Sequence, residues 1–129
     1  MKKRLSVVLI STLVLALLLS ACSAVDDVKS VNQTGKAFMT ALETGDSAAS
    51  WALLTTAVQE EIGGEQAWAE WSGIRNFPKW SFNNTEVSGS DGRMDGTAEL
   101  DGLEYTVILI FEKVNETWLI SGINFALAN

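Results

Sequence analysis

The apolar positions of this chain change their spacing twice. From Leu5 to Leu19 they form a run broken only by Ser6, Ser11 and Thr12. From Val28 to Ile74 they recur at helical spacing, and from Trp80 onward they alternate with a period of two. Asp26 to Thr44 predicts an amphipathic helix, with Val28, Val31, Gly35, Phe38, Met39 and Leu42 on one stripe. Asp26 and Asp27 suit the positive end of its dipole, and Gly45 supplies a stop. Asp46 is expected to cap a second helix, Ser47 to about Glu61, whose apolar members are Ala48, Trp51, Ala52, Leu54, Ala57 and Val58. Gly63-Gly64 ends it. A third helix, about Glu65 to Arg75, puts Ala67, Trp68, Trp71 and Ile74 on one face, and Pro78 closes the helical half.

Four strands follow. Trp80-Phe82 opens the first, which runs toward Val87, and Ser88 to Gly92 reads as a turn. Met94, Gly96, Ala98 and Leu100 alternate with Asp95, Thr97 and Glu99, the pattern of a half-buried strand. Asp101-Gly102 signals a tight hairpin. Leu103 to Glu112 is apolar on both faces from Val107 to Phe111, which predicts a central strand. Asn115-Glu116 turns the chain into a last strand, Thr117 to Phe125. Helices first and strands second define an α+β fold: three N-terminal helices packed on a curved four-stranded antiparallel sheet, with the first helix in its concave face.

The leading apolar run is an export signal. Lys2, Lys3 and Arg4 precede it, and Ser20 and Ala21 follow it. A basic start, a short apolar stretch and small residues describe a secretory signal peptide, and the run is shorter than the roughly 20 residues a spanning helix needs. Leu19-Ser20-Ala21-Cys22, which contains the only cysteine, resembles the lipobox of bacterial lipoproteins. That resemblance implies cleavage between Ala21 and Cys22 and a diacylglyceryl group on the Cys22 sulfur, with palmitate-like chains. Two or three such chains anchor stably where one does not, at roughly 0.8 kcal/mol per buried methylene. The organisation expected is a signal over 1–21, a lipidated cysteine and short tether over 22–26, and a single domain over 27–129. The tether reaches about 10–15 Å, so the domain is expected to sit close to the bilayer. Ser23 is not the aspartate that retains enteric lipoproteins in the inner membrane, so in a two-membrane host the resemblance implies the outer membrane.

Charge narrows the partners. Without Lys2, Lys3 and Arg4, six Lys and Arg face sixteen Asp and Glu, a net charge of −10. No basic stripe exists for nucleic acid, and adsorption to anionic lipid is disfavoured, so the acyl group is expected to hold the membrane alone. With no second cysteine there is no disulfide, and the domain must hold together by its core.

The stretch Val28…Phe38-Met39…Leu42-Glu43-Thr44-Gly45-Asp46…Trp51…Leu54, with the closing Trp118-Leu119-Ile120-Ser121-Gly122-Ile123, resembles the cystatin-like, nuclear-transport-factor-2-like superfamily over about residues 27–126. It looks most like that superfamily's bacterial lipoproteins of unknown function. The resemblance implies a conical fold, and it implies three kinds of role: ligand or protein binding, catalysis of the ketosteroid-isomerase or cyclase type, and a structural subunit that dimerises through its sheet.

Catalysis is not expected. The isomerase type needs an Asp base with Tyr and protonated Asp donors, and this chain offers one tyrosine, Tyr105, while Asp95 and Glu99 fall on a polar strand face. There is no histidine to act as a base near neutral pH. Asp91 to Gly96 faintly resembles a calcium loop, but Arg93 stands at a ligand position and Gly102 where the closing glutamate belongs, so no metal is expected. No cofactor is expected beyond the covalent lipid on Cys22. The function expected is a membrane-anchored, extracytoplasmic domain that binds a protein partner or a small apolar ligand. Phe38, Met39, Trp68, Trp71, Tyr105 and Trp118 are the candidate pocket residues, because large aromatic and flexible side chains line such sites. The alternatives are a small cofactor-free enzyme using a carboxylate and Tyr105, and a homodimeric envelope subunit.

Overall fold

A computed structural model describes residues 25–128. The expected signal, Ala21 and Cys22 lie outside the described residues. Helix α1 spans residues 25–44, followed by α2 (Ser47–Ala52), α3 (Thr56–Ile62) and α4 (Glu65–Gly73). Strands β1 (Lys79–Ser88), β2 (Asp91–Leu100), β3 (Leu103–Val114) and β4 (Thr117–Leu127) form one antiparallel sheet in chain order. This is the α+β architecture the spacing predicts.

Helix α1 ends as its sequence requires. Gly45 adopts φ +74°, its N–H donates to Leu42 O at 3.3 Å, and Asp46 N–H donates to Ala41 O at 2.8 Å. These paired bonds satisfy carbonyls that the last helical turn leaves open. Asp46 then caps α2 by accepting from Ala49 N–H at 3.0 Å.

The second predicted helix is corrected by the structure: it is two helices. At Leu54 the chain leaves helical geometry and bridges β4 in parallel, with Thr55 N–H donating to Ile120 O at 2.9 Å and Ile120 N–H donating to Leu53 O at 2.8 Å. Thr55 caps α3 by accepting from Val58 N–H at 3.3 Å. Two bonds to the sheet and a β-branched cap outweigh continued helix, so four helices stand among the described residues where three were expected. The next helix also stops at Gly73 rather than at Arg75.

The three hairpins turn in two residues each. Asp101 and Gly102 have φ of 53° and 78°, and Asn115 and Glu116 have 49° and 63°, the doubly left-handed geometry that matches strand twist. The expected Ser88–Gly92 turn contracts to Gly89 and Ser90, so β2 begins at Asp91 instead of near Met94. β3 and β4 likewise extend past the predicted Glu112 and Phe125. Each outer sheet strand bulges once. Pairing skips Asn83 in β1 and Ser121 in β4, so the inward set changes from Trp80 and Phe82 to Thr85 and Val87, and from Trp118 and Ile120 to Ile123 and Phe125.

Core packing is set by α1 lying on β2 and β3. Val31, Phe38, Met39, Leu42, Met94, Leu109 and Phe111 are all essentially inaccessible. Small residues allow the approach. A methyl group at Gly35 would strike Met94 Sδ and lie 3.3 Å from Phe111 Cζ, and one at Gly92 would lie 3.1 Å from Val31 Cγ2. At Gly96, opposite the β1 bulge, a Cβ would fall against the backbone oxygen of Ser81 and 2.9 Å from the Phe82 ring.

Backbone cannot yield as a methionine end can. Gly96→Ala is therefore expected to destabilise the domain by about 1–3 kcal/mol, and Gly35→Ala by less. Urea unfolding of both variants checks the order; equal losses would contradict it.

Candidate functional site

The six candidate pocket residues separate into two ends and a middle. Phe38 and Trp68 are buried with ring centroids 6.0 Å apart, and Trp68 stacks on Trp71 at 4.9 Å. Trp71 continues to Phe125 at 6.1 Å, Phe125 to Phe77 at 4.8 Å, and Phe77 to the edge of Tyr105 at 5.6 Å. Four of the candidates thus belong to one aromatic chain completed by Phe77 and Phe125. Met39 is packed in the core beside them. Trp118 is buried elsewhere, at the end of the sheet where α1 begins. Phe38, Met39, Trp68 and Trp118 are buried core residues, whereas Trp71 and Tyr105 are partly buried against that core.

Trp68 is held by a buried hydrogen bond, its Nε1–H donating to Ser50 Oγ at 2.8 Å. Ser50 is wholly buried, and its hydroxyl donates back to its own helix at Ser47 O, 3.1 Å away. This bond fixes α4 against α2. The small serine in α2 is the feature that lets an indole of α4 bury its polar edge.

At the opposite end, Asp27 Oδ1 accepts from Lys113 Nζ at 3.0 Å and from Trp118 Nε1 at 3.1 Å. Glu116 lies 3.4 Å from the same ammonium. Hydrogen bonding from Lys113, then from Trp118, lowers the Asp27 pKa below its ordinary 3.8, and the bond to Asp27 raises that of Lys113. The cluster ties the first turn of α1 to the β3–β4 hairpin.

Tyr105 and the carboxylates of the enzyme alternative face opposite sides of the sheet. Tyr105 packs inward on Phe77, whereas Asp95 faces outward, where Arg93 grips it through contacts of 2.8 and 2.9 Å. That hydrogen bonding from Arg93 lowers the Asp95 pKa. Glu99 pairs in register with Lys79 on one side and Glu104 on the other. Among the described residues no three carboxylate, cysteine or histidine side chains converge as metal ligands would.

One concave apolar feature lies between the short helices and the last strand. A groove of about 500 Å³ opens between α3, α4 and β4. Val58, Glu61 and Ile62 form its α3 wall; Ala67, Trp68 and Trp71 its α4 wall; Ser121, Gly122 and Ile123 its β4 floor. Two of the six candidates, Trp68 and Trp71, line it. Val58, Ile62 and Ile123 were absent from the candidates. Their signal was present as the change of parity between Ile120 and Ile123, which marks the bulge where the strand turns its side chains toward α3. Another concavity, about 520 Å³, lies by β1 and β2 and is walled mostly by polar groups such as Lys79, Ser81, Thr97, Glu99 and Glu104.

No protein-family model matches this chain, and no curated protein matches it in sequence. Solved structures do resemble it. An NTF2-like protein of unknown function from Shewanella baltica aligns with TM-score 0.65 and 10% identity, over 81% of this chain and 96% of its own. One of the same description from Silicibacter pomeroyi aligns at 0.62 and 11%, over 80% and 97%. A protein of unknown function with a cystatin-like fold from Nostoc punctiforme aligns at 0.58 and 12%, over 77% and 89%. The likeness is one of fold: the chain adopts the NTF2-like, cystatin-like α+β architecture, which hosts unrelated functions.

The Asp27 cluster gives a pH signature. A carboxyl whose pKa is lowered by folding stabilises the native state above its unfolded value of 3.8, and that contribution disappears as pH falls below 3.8 through the lowered folded value. Asp27→Asn is expected to lower Tm at neutral pH and to flatten the acid limb, the two proteins converging at the lowest pH. Circular dichroism melts from about pH 2 to 7 check this; parallel curves would refute it.

Proposed function

We propose that this chain is a membrane-anchored, extracytoplasmic binding protein, tethered through acylated Cys22 and binding through the groove between α3, α4 and β4. The observation that carries the binding assignment is the placement of apolar surface. The core cluster is buried, yet Val58, Ile62, Trp71 and Ile123 remain only half-buried around an open groove. Large apolar side chains left facing a concavity beside a complete core are the usual mark of a binding site.

The anchor fits this arrangement. Helix α1 is already formed at residue 25, so little chain separates the domain from Cys22. Its first turn is fastened by Asp27 to Lys113 and Trp118. In an anchored chain that end of the sheet would face the bilayer, with the groove roughly 15 Å further along β4. A tether of a few residues and a rigid first helix hold the groove at a fixed height above the membrane.

Two measurements test the proposal. Cys22→Ser is expected to abolish incorporation of labelled fatty acid and to move the protein from the membrane to the soluble fraction; retained label would overturn the anchor. Native mass spectrometry of the lipid-bearing chain, gently extracted from its own cells, is expected to show a stoichiometric ligand or partner that Ile62→Asp removes. A bare mass for both proteins, with Ile62→Asp folded by circular dichroism, would overturn the binding role.

A further inference from the structure

The groove lies in a one-signed part of the surface. Residues 37–74 carry Glu43, Asp46, Glu60, Glu61, Glu65 and Glu70 and neither lysine nor arginine. Glu61 lines the groove itself and is exposed, as are Glu60 and Glu65. The neighbouring cation, Arg75, is bound to the groove's own Trp71: its guanidinium lies 4.2 Å over that ring and donates to Trp71 O at 2.9 Å. Glu61 on the α3 wall carries no ion pair among the described residues. An apolar floor beside carboxylates of one sign focuses their field on whatever enters.

The backbone supplies a second, independent feature. β4 is an edge strand. Among the described residues its outer edge is met by another segment at one place, where Leu53–Thr55 bridges Ile120. The groove opens directly after that bridge, at Ser121–Ile123. A sheet edge that has accepted one short extended segment and then runs on uncovered is a template for another.

We propose that the groove receives an extended segment of a partner protein in which apolar residues alternate with lysine or arginine. The segment lies along β4 from Gly122 toward Leu127, its apolar side chains on Ile62 and Trp71 and its cations beside Glu61. Main-chain bonds to the edge supply affinity and the alternate side chains supply selection. This assignment rests on the groove being the binding site, and the experiment separates the two claims.

The full lipid-bearing chain in neutral detergent is titrated into fluorescently labelled peptides of about eight residues: alternating Lys-Val, Glu-Val and Lys-Ser. Anisotropy is expected to show binding of the Lys-Val peptide that weakens as salt rises. Binding of the Glu-Val and Lys-Ser peptides is expected to be at least about tenfold weaker. Glu61→Lys, on an exposed helix face, should weaken the Lys-Val peptide about tenfold, and Ile62→Asp should abolish its binding. Equal binding of the Glu-Val peptide, or indifference to Glu61→Lys, overturns the basic partner. The neutral apolar dye N-phenyl-1-naphthylamine resolves the remaining outcomes. Dye uptake lost in Ile62→Asp, without peptide binding, overturns the peptide and leaves the groove. Dye and peptides both indifferent to Ile62→Asp overturn the groove as well.

Discussion

The close approach of α1 to the inner face of the sheet is the constraint on which the rest depends. A helix of 20 residues is laid across β2 and β3 with glycine at points of close contact: Gly35 on the helix and Gly92 on the strand. Because the separation is so small, Val31, Phe38, Met39 and Leu42 reach full burial against Met94, Leu109 and Phe111 without a disulfide. The rim is then fastened by polar contacts that cost little to form at the half-exposed edge. Thr85 donates to Asn32 at 2.6 Å, Trp80 to Glu43 at 3.2 Å, and Lys113 and Trp118 to Asp27. Apolar burial supplies most of the stabilisation, and these contacts fix the helix in one rotational setting.

The aromatic side chains of the core also shape the candidate groove. Trp68, Trp71, Phe77, Tyr105 and Phe125 form a continuous aromatic wall. The same wall gives the groove its α4 side. The break at Leu53–Thr55 gives it its α3 side: one uninterrupted helix from Ser47 would leave β4 unbridged and α3 without its present angle to α4. Structure and candidate site therefore share their causes, since the bridge that ends α2 also positions Val58 and Ile62 over the β4 bulge.

Much of this was legible in the residues. The period change at Pro78, Gly45-Asp46 as a stop and a cap, and Asp101-Gly102 as a tight turn are local chemistry, and each appears in the structure where the sequence puts it. The aromatic candidates were legible as large apolar side chains but not as members of one wall. Helical and strand periodicity give the face a residue occupies, not which other face it meets. The groove was legible only indirectly, through the switch from Ile120 to Ile123.

What the sequence determined by itself was therefore the α+β order of elements, the stripe of α1, the hairpin turns and the acidity of the helical layer. These follow from residue spacing, backbone preference and charge, all properties of near neighbours along the chain. What the tertiary structure alone decided was the split of the second helix, the assembly of the aromatic wall, the Asp27–Lys113–Trp118 cluster and the groove. Each of these joins residues far apart in sequence, as Thr55 joins Ile120 and Ser50 joins Trp68. Their energies appear only when separate elements meet, so a local pattern such as the Ile120–Ile123 switch marks one strand of the groove and not the partners that complete it.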